Sequence, residues 1–358
     1  MEPIRDFVTM DALQPGLGPI RSATYLPVDP ATVLWGRLPC ATDSAVLTID
    51  PGTEVTIDTI SHEGVLEDQG RDPRAFFGGF GVVEVLDDAV ALAASNYDRA
   101  DGGPHVISGP IRVTGARVGD LLRMTVLETL PRVPYGIISN RHGRGALPGE
   151  YPERGDIVSV FAGVDGDHGT MPRVLGGVHD VRFPLHPFLG VMGVAVAGNQ
   201  RPHSVPPGSH GGNIDVNLLT VGASLYLPVQ VDGALAYIGD PHFAQGDGEV
   251  ALTAMEASLR ATIRFEVVAH EVAVTEFGEL VGPLAETHEF LVPTGMDTDL
   301  DVAMQDCVRA AIALLRARYG MDAAHAYAYL SAATDFNISQ VVDLVKGVHA
   351  RIRKADFA

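Results

Sequence analysis

Short stretches of alternating apolar and polar residues, each ended by Gly, Pro or Asp, fill residues 30–130 and restrict that part of the chain to β structure. In AVLTIDPGTEVTIDTIS (45–61) and GPIRVTGARVGDLLRMTVLETL (109–130) the pattern is plainest. Leu122, Met124 and Val126 face one way, Arg123 and Thr125 face the other, and TGARVGD supplies turn chemistry. These segments are predicted to form β-hairpins with one wet face. The 40 glycines and 24 prolines follow no repeat and so read as many turns, which again favours β structure.

Beyond residue 130 the pattern changes. Residues 131–185, rich in Gly, Pro and charge, are predicted to be long loops and short strands, and as loops they are where substrate choice is expected to lie. HPFLGVMGVAVAG (186–198) is apolar with little alternation, as in a strand buried on both sides, and NLLTVGASLYLPVQV (217–231) reads as another buried strand pair. LRATIRFEVVAHEVAVTEF (259–277) reads as long strands. Helices are expected late. In residues 297–320 Met304, Val308, Ala311, Leu315 and Tyr319 recur at helical spacing, Arg316 and Arg318 close the last turn, and Gly320 ends it. Asp322 then caps a second helix. The fold class is β-rich α+β, divided into a domain over 1–185 and an α+β domain over 186–358.

Charge and composition exclude several roles. The net charge of −20 repels phosphate backbones and anionic headgroups, so no nucleic acid and no membrane is expected as a partner. The N-terminal MEPIRDFVTM lacks a basic region followed by an apolar core. The uncharged run 183–200 is interrupted by Pro184, Pro187, Gly190 and Gly193. A cytoplasmic protein is expected. Cys40 and Cys307 lie too far apart in sequence to form a metal motif or a disulfide framework.

Several hydrolytic mechanisms are excluded as well. A Ser/Ser/Lys or Cys/Glu/Lys amidase needs a lysine at its centre, but the only lysines are Lys346 and Lys354, in the last thirteen residues. The nearest approach to a G-x-S-x-G elbow is PPGSHGG, and no lysine-bearing phosphate loop or G-x-G-x-x-G occurs. Metal-activated water is the remaining economical choice for a hydrolase. Four places offer ligands: Asp240 and His242, two apart and thus on one side of an extended backbone; His62 with Glu63; His105; and His210, Asn213 and Asp215 beside paired glycines. In GALAYIGDPHFAQGDGEV (233–250) the strand is expected to stop at Gly239, with acids and imidazole gathering in the loop that follows.

PGSHGGNIDVNLLTVGASLYLPVQVDGALAYIGDPHFAQGDGEV (207–250) closely resembles the signature of the acetamidase/formamidase family: G-G-N-x-D, L-P-V, then G-D-x-H-x-x-Q-G-D-G-E. GPHVISGPIRVTGARVGDLLRM (103–124) is similar to an earlier segment of that family, and AYAYLSAATDFNISQVVD (326–343) to its C-terminal helix and following turn. TISHEGVLEDQG (59–70) matches less tightly. The resemblance implies an N-terminal β-sandwich followed by an α+β region, and hydrolysis of a small carboxamide or a lactam with a divalent metal, zinc by preference. The matching positions are Asn213, Asp215, Asp240, His242, Gln245, Asp247 and Glu249.

On this expectation His62, Asp240 and His242 hold the metal with Asp215 or His105 as a further ligand, Glu249 moves the proton, and Asn213 donates to the oxyanion. His105, Gln245 and Glu63 are assigned to substrate, and Gly239, Gly246 and Gly248 to close backbone approach. A homo-oligomer, a dimer, is expected. The alternative is a non-catalytic β-sandwich binding module with structural calcium, favoured by the glycine-spaced acids and disfavoured by the imidazoles.

Overall fold

The computed structural model describes residues 11–99 and 101–357; the stretch MEPIRDFVTM, read above for a leader, lies outside them. Two large sheets form the molecule. One has nine strands, and its centre runs Glu54–Asp58, Leu259–Val268, Leu121–Pro131, Ser224–Pro228. The other has eleven, with Tyr135–Arg141, Met255–Glu256, Ala236–Ala244 and Phe188–Gly193 in sequence across it and Val106–Val113 also paired to Ala236–Ala244. Both sheets mix strands from either side of residue 185.

The hydrophobic alternation dictates how the sheets meet. Leu122, Met124 and Val126 point inward with Val55, Ile57, Ile263 and Leu225 of the same sheet, against Ile111, Leu189, Met192 and Ile238 of the other, in one continuous core. The intervening Arg123 faces outward and lies over the Tyr226 ring at 5.6 Å. This is a β-sandwich, as the resemblance implied. Helices cover the outer face of the nine-stranded sheet, where Leu314, Leu315 and Leu330 pack on Leu284, Leu291 and Ile352.

Leu300–Tyr319 and Ala323–Ala333 are the two late helices. Asp299 and Asp322 cap them by accepting backbone N–H bonds, and Gly320 ends the first in the left-handed conformation. Several expectations are corrected. The alternating segments 45–61 and 109–130 are not hairpins, because the two strands of each enter different sheets: Leu47–Ile49 pairs with Val106–Val113 in the eleven-stranded sheet, while Glu54–Asp58 and Leu121–Pro131 both pair with Leu259–Val268 in the nine-stranded one. Residues 217–231 hold one strand, Ser224–Pro228, rather than a pair. The 259–277 segment is a strand, Leu259–Val268, that turns at Ala269 into a helix, His270–Phe277, because Ala273 and Phe277 bury on a helical spacing. Helices also arise early, at Pro73–Gly78 and Asp87–Ala94. Residues 131–185 contain the strands Ile157–Asp165, His168–Pro172 and His179–Pro184, which widen the eleven-stranded sheet as a meander; Gly166, Gly176 and Gly177 lie in the turns between them, while Gly163, Gly169, Pro172 and Pro184 lie within the strands.

A buried charge cluster ties the N-terminal segment to this frame. The Arg260 guanidinium grips both oxygens of Asp58 at 2.6 and 3.0 Å and donates to the carbonyls of Gln14, Leu17 and Pro19. Arg132 lies 3.6 Å from Asp58 and 2.8 Å from Asp88. Removing one partner of a fully buried pair leaves an uncompensated charge. Arg260→Met is therefore expected to cost about 3 kcal/mol, the low end of the usual range because Arg132 still faces Asp58. Urea unfolding checks this, and an unchanged midpoint would contradict it.

Candidate active site

The strand Ala236–Ala244 does not stop at Gly239; it continues through Asp240, Pro241 and His242, paired on one side with Phe188–Gly193 and on the other with Met255–Glu256. Asp240 reaches its place with a φ of 50°, a conformation that costs an aspartate less than most residues. His242 follows two residues on and presents its ring to the same side, with Nε2 3.0 Å from Asp240 Oδ2. Two glycines make room for this. A Cβ on Gly190 would lie 2.5 Å from Asp215 Oδ1, 2.7 Å from His242 Cε1 and 2.8 Å from Asp240 Oδ2. One on Gly239 would lie 2.5 Å from the Val106 carbonyl oxygen. Gly246, by contrast, has open space beside it, so close approach does not explain that glycine.

The other groups come from distant parts of the chain. Asp215, at φ 48°, is held over Gly190 because Ile214 and Asp215 both donate their N–H to the Gly190 carbonyl at 3.0 and 3.2 Å. His62, shortly after the strand Glu54–Asp58, has Nδ1 3.3 Å from Asp240 Oδ1 and 3.8 Å from Glu256 Oε2. His105 Nε2 is 3.7 Å from Asp240 Oδ2, and its Nδ1 meets the Ser204 hydroxyl at 3.0 Å. Glu249 stands at φ 47° in the turn that follows the strand. Glu256 Oε1 completes the arrangement 3.1 Å from His242 Nε2.

Three overlapping sets of buried ligand atoms result: His62, His105 and Asp240; Asp215, His242 and Glu249; Asp240, His242 and Glu256. Within each set the ligand atoms lie within 4.8 Å of one another. His62, His105, Asp240, Glu249 and Glu256 line a cavity of about 470 Å³ together with Asn213 and Asp343, while Asp215 and His242 are buried against these groups. Neither lysine lines it: Lys346 donates to the Thr298 carbonyl and Lys354 pairs with Glu286.

Burial and mutual proximity set the electrostatics. Burial pushes the Glu249 carboxyl well above its usual range, and Asp215 adds to this. Burial and Asp343 raise Asp215 in the same way. For Asp240 burial acts upward, but His105, His242 and His62 outweigh it and hold the carboxyl well below the usual range. Burial alone would discharge His62, yet Glu256, Asp240 and Glu63 lift it to about 10. Burial lowers His105 to about 4. So many acids and imidazoles compressed together must share protons or share a cation.

Several expected residues stand just outside this centre. Gln245 braces the centre from outside the cavity: its Oε1 is 3.1 Å from His242 Nδ1, while its Nε2 donates to the carbonyls of Asp215 and Ser339. It therefore fixes the imidazole, leaving Nε2 of His242 toward the carboxylates. Glu63 lies behind His62, 3.3 Å from its Nε2, and is held by Arg141 and Ser139. Asp247 is taken up by Asn217, Asn337 and Arg351. Glu256 and Asp343 escaped sequence reasoning. Asp343 ends the C-terminal stretch that carries the resemblance, while Glu256, in AMEASL, has no local signal.

Comparison with known proteins gives one consistent picture. The model of the Acetamidase/Formamidase family matches residues 96–203 and 196–352. An acetamidase of Mycolicibacterium smegmatis is 31% identical over 199 residues, 41% of this chain and 49% of that protein. A formamidase of Methylophilus methylotrophus is 30% identical over 198 residues, 41% and 47% respectively. The match thus spans about half the length of these relatives. A solved acetamidase of Yersinia enterocolitica superposes with a TM-score of 0.75 at 25% identity, covering 96% of this chain and 94% of that one.

Proposed function

Because this chain belongs to the acetamidase/formamidase family, we propose that it hydrolyses a small carboxamide or a lactam, with water, to a carboxylate and ammonia or to an amino acid. The observation that carries this reading is a set of buried polar atoms without hydrogen-bond partners gathered at one cavity: His62 Nδ1, Asp240 Oδ1, Glu256 Oε2 and Asn213 Oδ1 belong to residues that line it, and both Asp215 oxygens belong to the ligand set shared with His242 and Glu249. Orphaned groups of this kind are costly unless something binds them.

A divalent cation fits this donor set. His62, Asp240 and His242 would hold it, with Asp215, His105 or Glu256 as further ligands, and the presence of imidazole favours zinc over calcium. When bound, such an ion supplies Lewis acidity toward an amide carbonyl and toward water. The same imidazoles count against a calcium-holding binding module.

The chain's own residues supply the proton transfers and the orientation. Glu249, its carboxyl raised by burial, takes a proton from the attacking water and gives it to the leaving nitrogen, which otherwise departs poorly. The Asn213 side-chain amide donates to the oxygen on which charge develops. Gln245 keeps His242 from turning. Water attack forms the C–O bond, the C–N bond breaks, and the nitrogen leaves carrying the transferred proton.

Ammonia release from formamide, acetamide and longer primary amides, with ring opening of a γ-lactam measured in parallel, tests the reading. Turnover of at least one is expected; silence on all of them would remove it. A cytoplasmic homodimer completes the proposal. It is supported by two free, buried thiols, Cys40 and Cys307, and by the exposed apolar residues Val174, Leu175 and Val178. No helix among the described residues is long and apolar enough to cross a membrane.

A further inference from the structure

Resting on the amide-hydrolase reading, we propose that Arg144 forms a carboxylate subsite at the mouth of the cavity, and that the preferred substrate is the monoamide of a short dicarboxylic acid. Size gives the first reason. A four-heavy-atom amide needs about 120 Å³ if each heavy atom claims roughly the liquid volume of a water molecule. The cavity offers about 470 Å³. Formamide or acetamide would leave most of it filled with water, whereas an amide of about eight heavy atoms would fill roughly half of it.

Charge gives the second reason. Each acid at the mouth already has a guanidinium: Glu67 pairs with Arg99, Asp68 with Arg141 at 2.6 Å, and Asp101 with Arg37 at 2.7 Å. Arg144 lines the same mouth, and among the described residues no carboxylate or carbonyl pairs with its guanidinium. Its neighbour His203 adds no second cation, because burial, Arg37 and Arg144 hold that imidazole below its ordinary value. One uncompensated guanidinium in a chain of net charge −20 matches one carboxylate, while the acids around it disfavour a dianion such as phosphate.

Position gives the third. Arg144 belongs to the turn after the strand Tyr135–Arg141, and this turn is tied to the segment that carries Glu249: Ala146 donates its N–H to the Val250 carbonyl at 2.9 Å, and Asn140 Nδ2 to the Ala251 carbonyl at 2.7 Å. Leu66, Val205, Leu252 and Val342 contribute apolar lining suited to a methylene spacer.

The test compares kcat/KM for succinamate and for the neutral amide butyramide, and measures succinate binding by calorimetry on the same samples. Wild type is expected to favour succinamate, and Arg144→Gln to lower the ratio of the two kcat/KM values by about 10-fold or more, the size of a charge-assisted contact. Arg144→Lys is expected to restore part of it, and succinate binding to weaken in parallel with the Gln variant. Equal ratios in wild type and Arg144→Gln, or succinate binding indifferent to the substitution, would overturn the subsite. Arg144-dependent succinate binding without turnover of any amide would uphold the subsite and overturn the amide-hydrolase reading instead.

Discussion

Glu249→Gln is expected to lower amide turnover by about 10²- to 10⁴-fold, the usual contribution of a positioned general base. The substitution keeps the shape of the side chain and removes the only thing the proposed role needs, a carboxylate able to accept and return a proton. Because burial and Asp215 raise this carboxyl, its basic form is gained as pH rises. Wild-type rates should therefore climb with pH across that titration, and the residual rate of the variant should lack that rise. Cation content separates the two ways Glu249 could matter. Glu249 shares a ligand set with Asp215 and His242, so loss of the cation together with activity would make it a ligand, whereas a full cation load with the activity gone is the expected result. Unchanged turnover would remove Glu249 from the mechanism.

Asp240→Asn is expected to have the second large effect, on cation affinity. The Asp240 carboxylate stands 3.0 Å from His242, 3.3 Å from His62 and 3.7 Å from His105, and belongs to two of the three overlapping ligand sets. An asparagine fills the same space but offers one neutral oxygen and an amide that repels a cation. Outer partners of metal ligands typically change affinity by about 10–100-fold, and a group at the centre should exceed that. Elemental analysis of the dialysed variant checks it, with the thermal melt as a control that the sandwich is intact. A variant that keeps its full cation load and its turnover would show that Asp240 does not hold the ion.

What the sequence revealed follows the range of the forces involved. Alternation over 109–130 and helical spacing over 300–319 are local, and local signals were readable: Leu122, Met124 and Val126 point into the core, and Asp299, Gly320 and Asp322 punctuate the helices as their chemistry demands. Asp240 and His242 could be placed on one side from their spacing alone. That the strand continues past Gly239 could not, because Asp240 adopts a positive φ that only the surrounding strands enforce. Likewise Glu256 has no motif around it; it reaches His242 because its strand pairs with Ala236–Ala244 across the sheet. Gly190 was unremarkable in an apolar run until three side chains were seen to occupy the space its Cβ would fill. The meander over 157–184 was obscured because Gly163, Gly169, Pro172 and Pro184 stand within its strands and break their alternation.

The most direct measurement is ammonia release from the best amide, followed as bound cation is withdrawn with a chelator and then restored, with metal per chain read on each sample. If the buried cluster of His62, Asp240 and His242 works as proposed, the rate falls in proportion to the cation lost and returns when zinc is added back. A rate that stays whole in protein stripped of metal would contradict the claim that a cation at this cluster is required for amide hydrolysis.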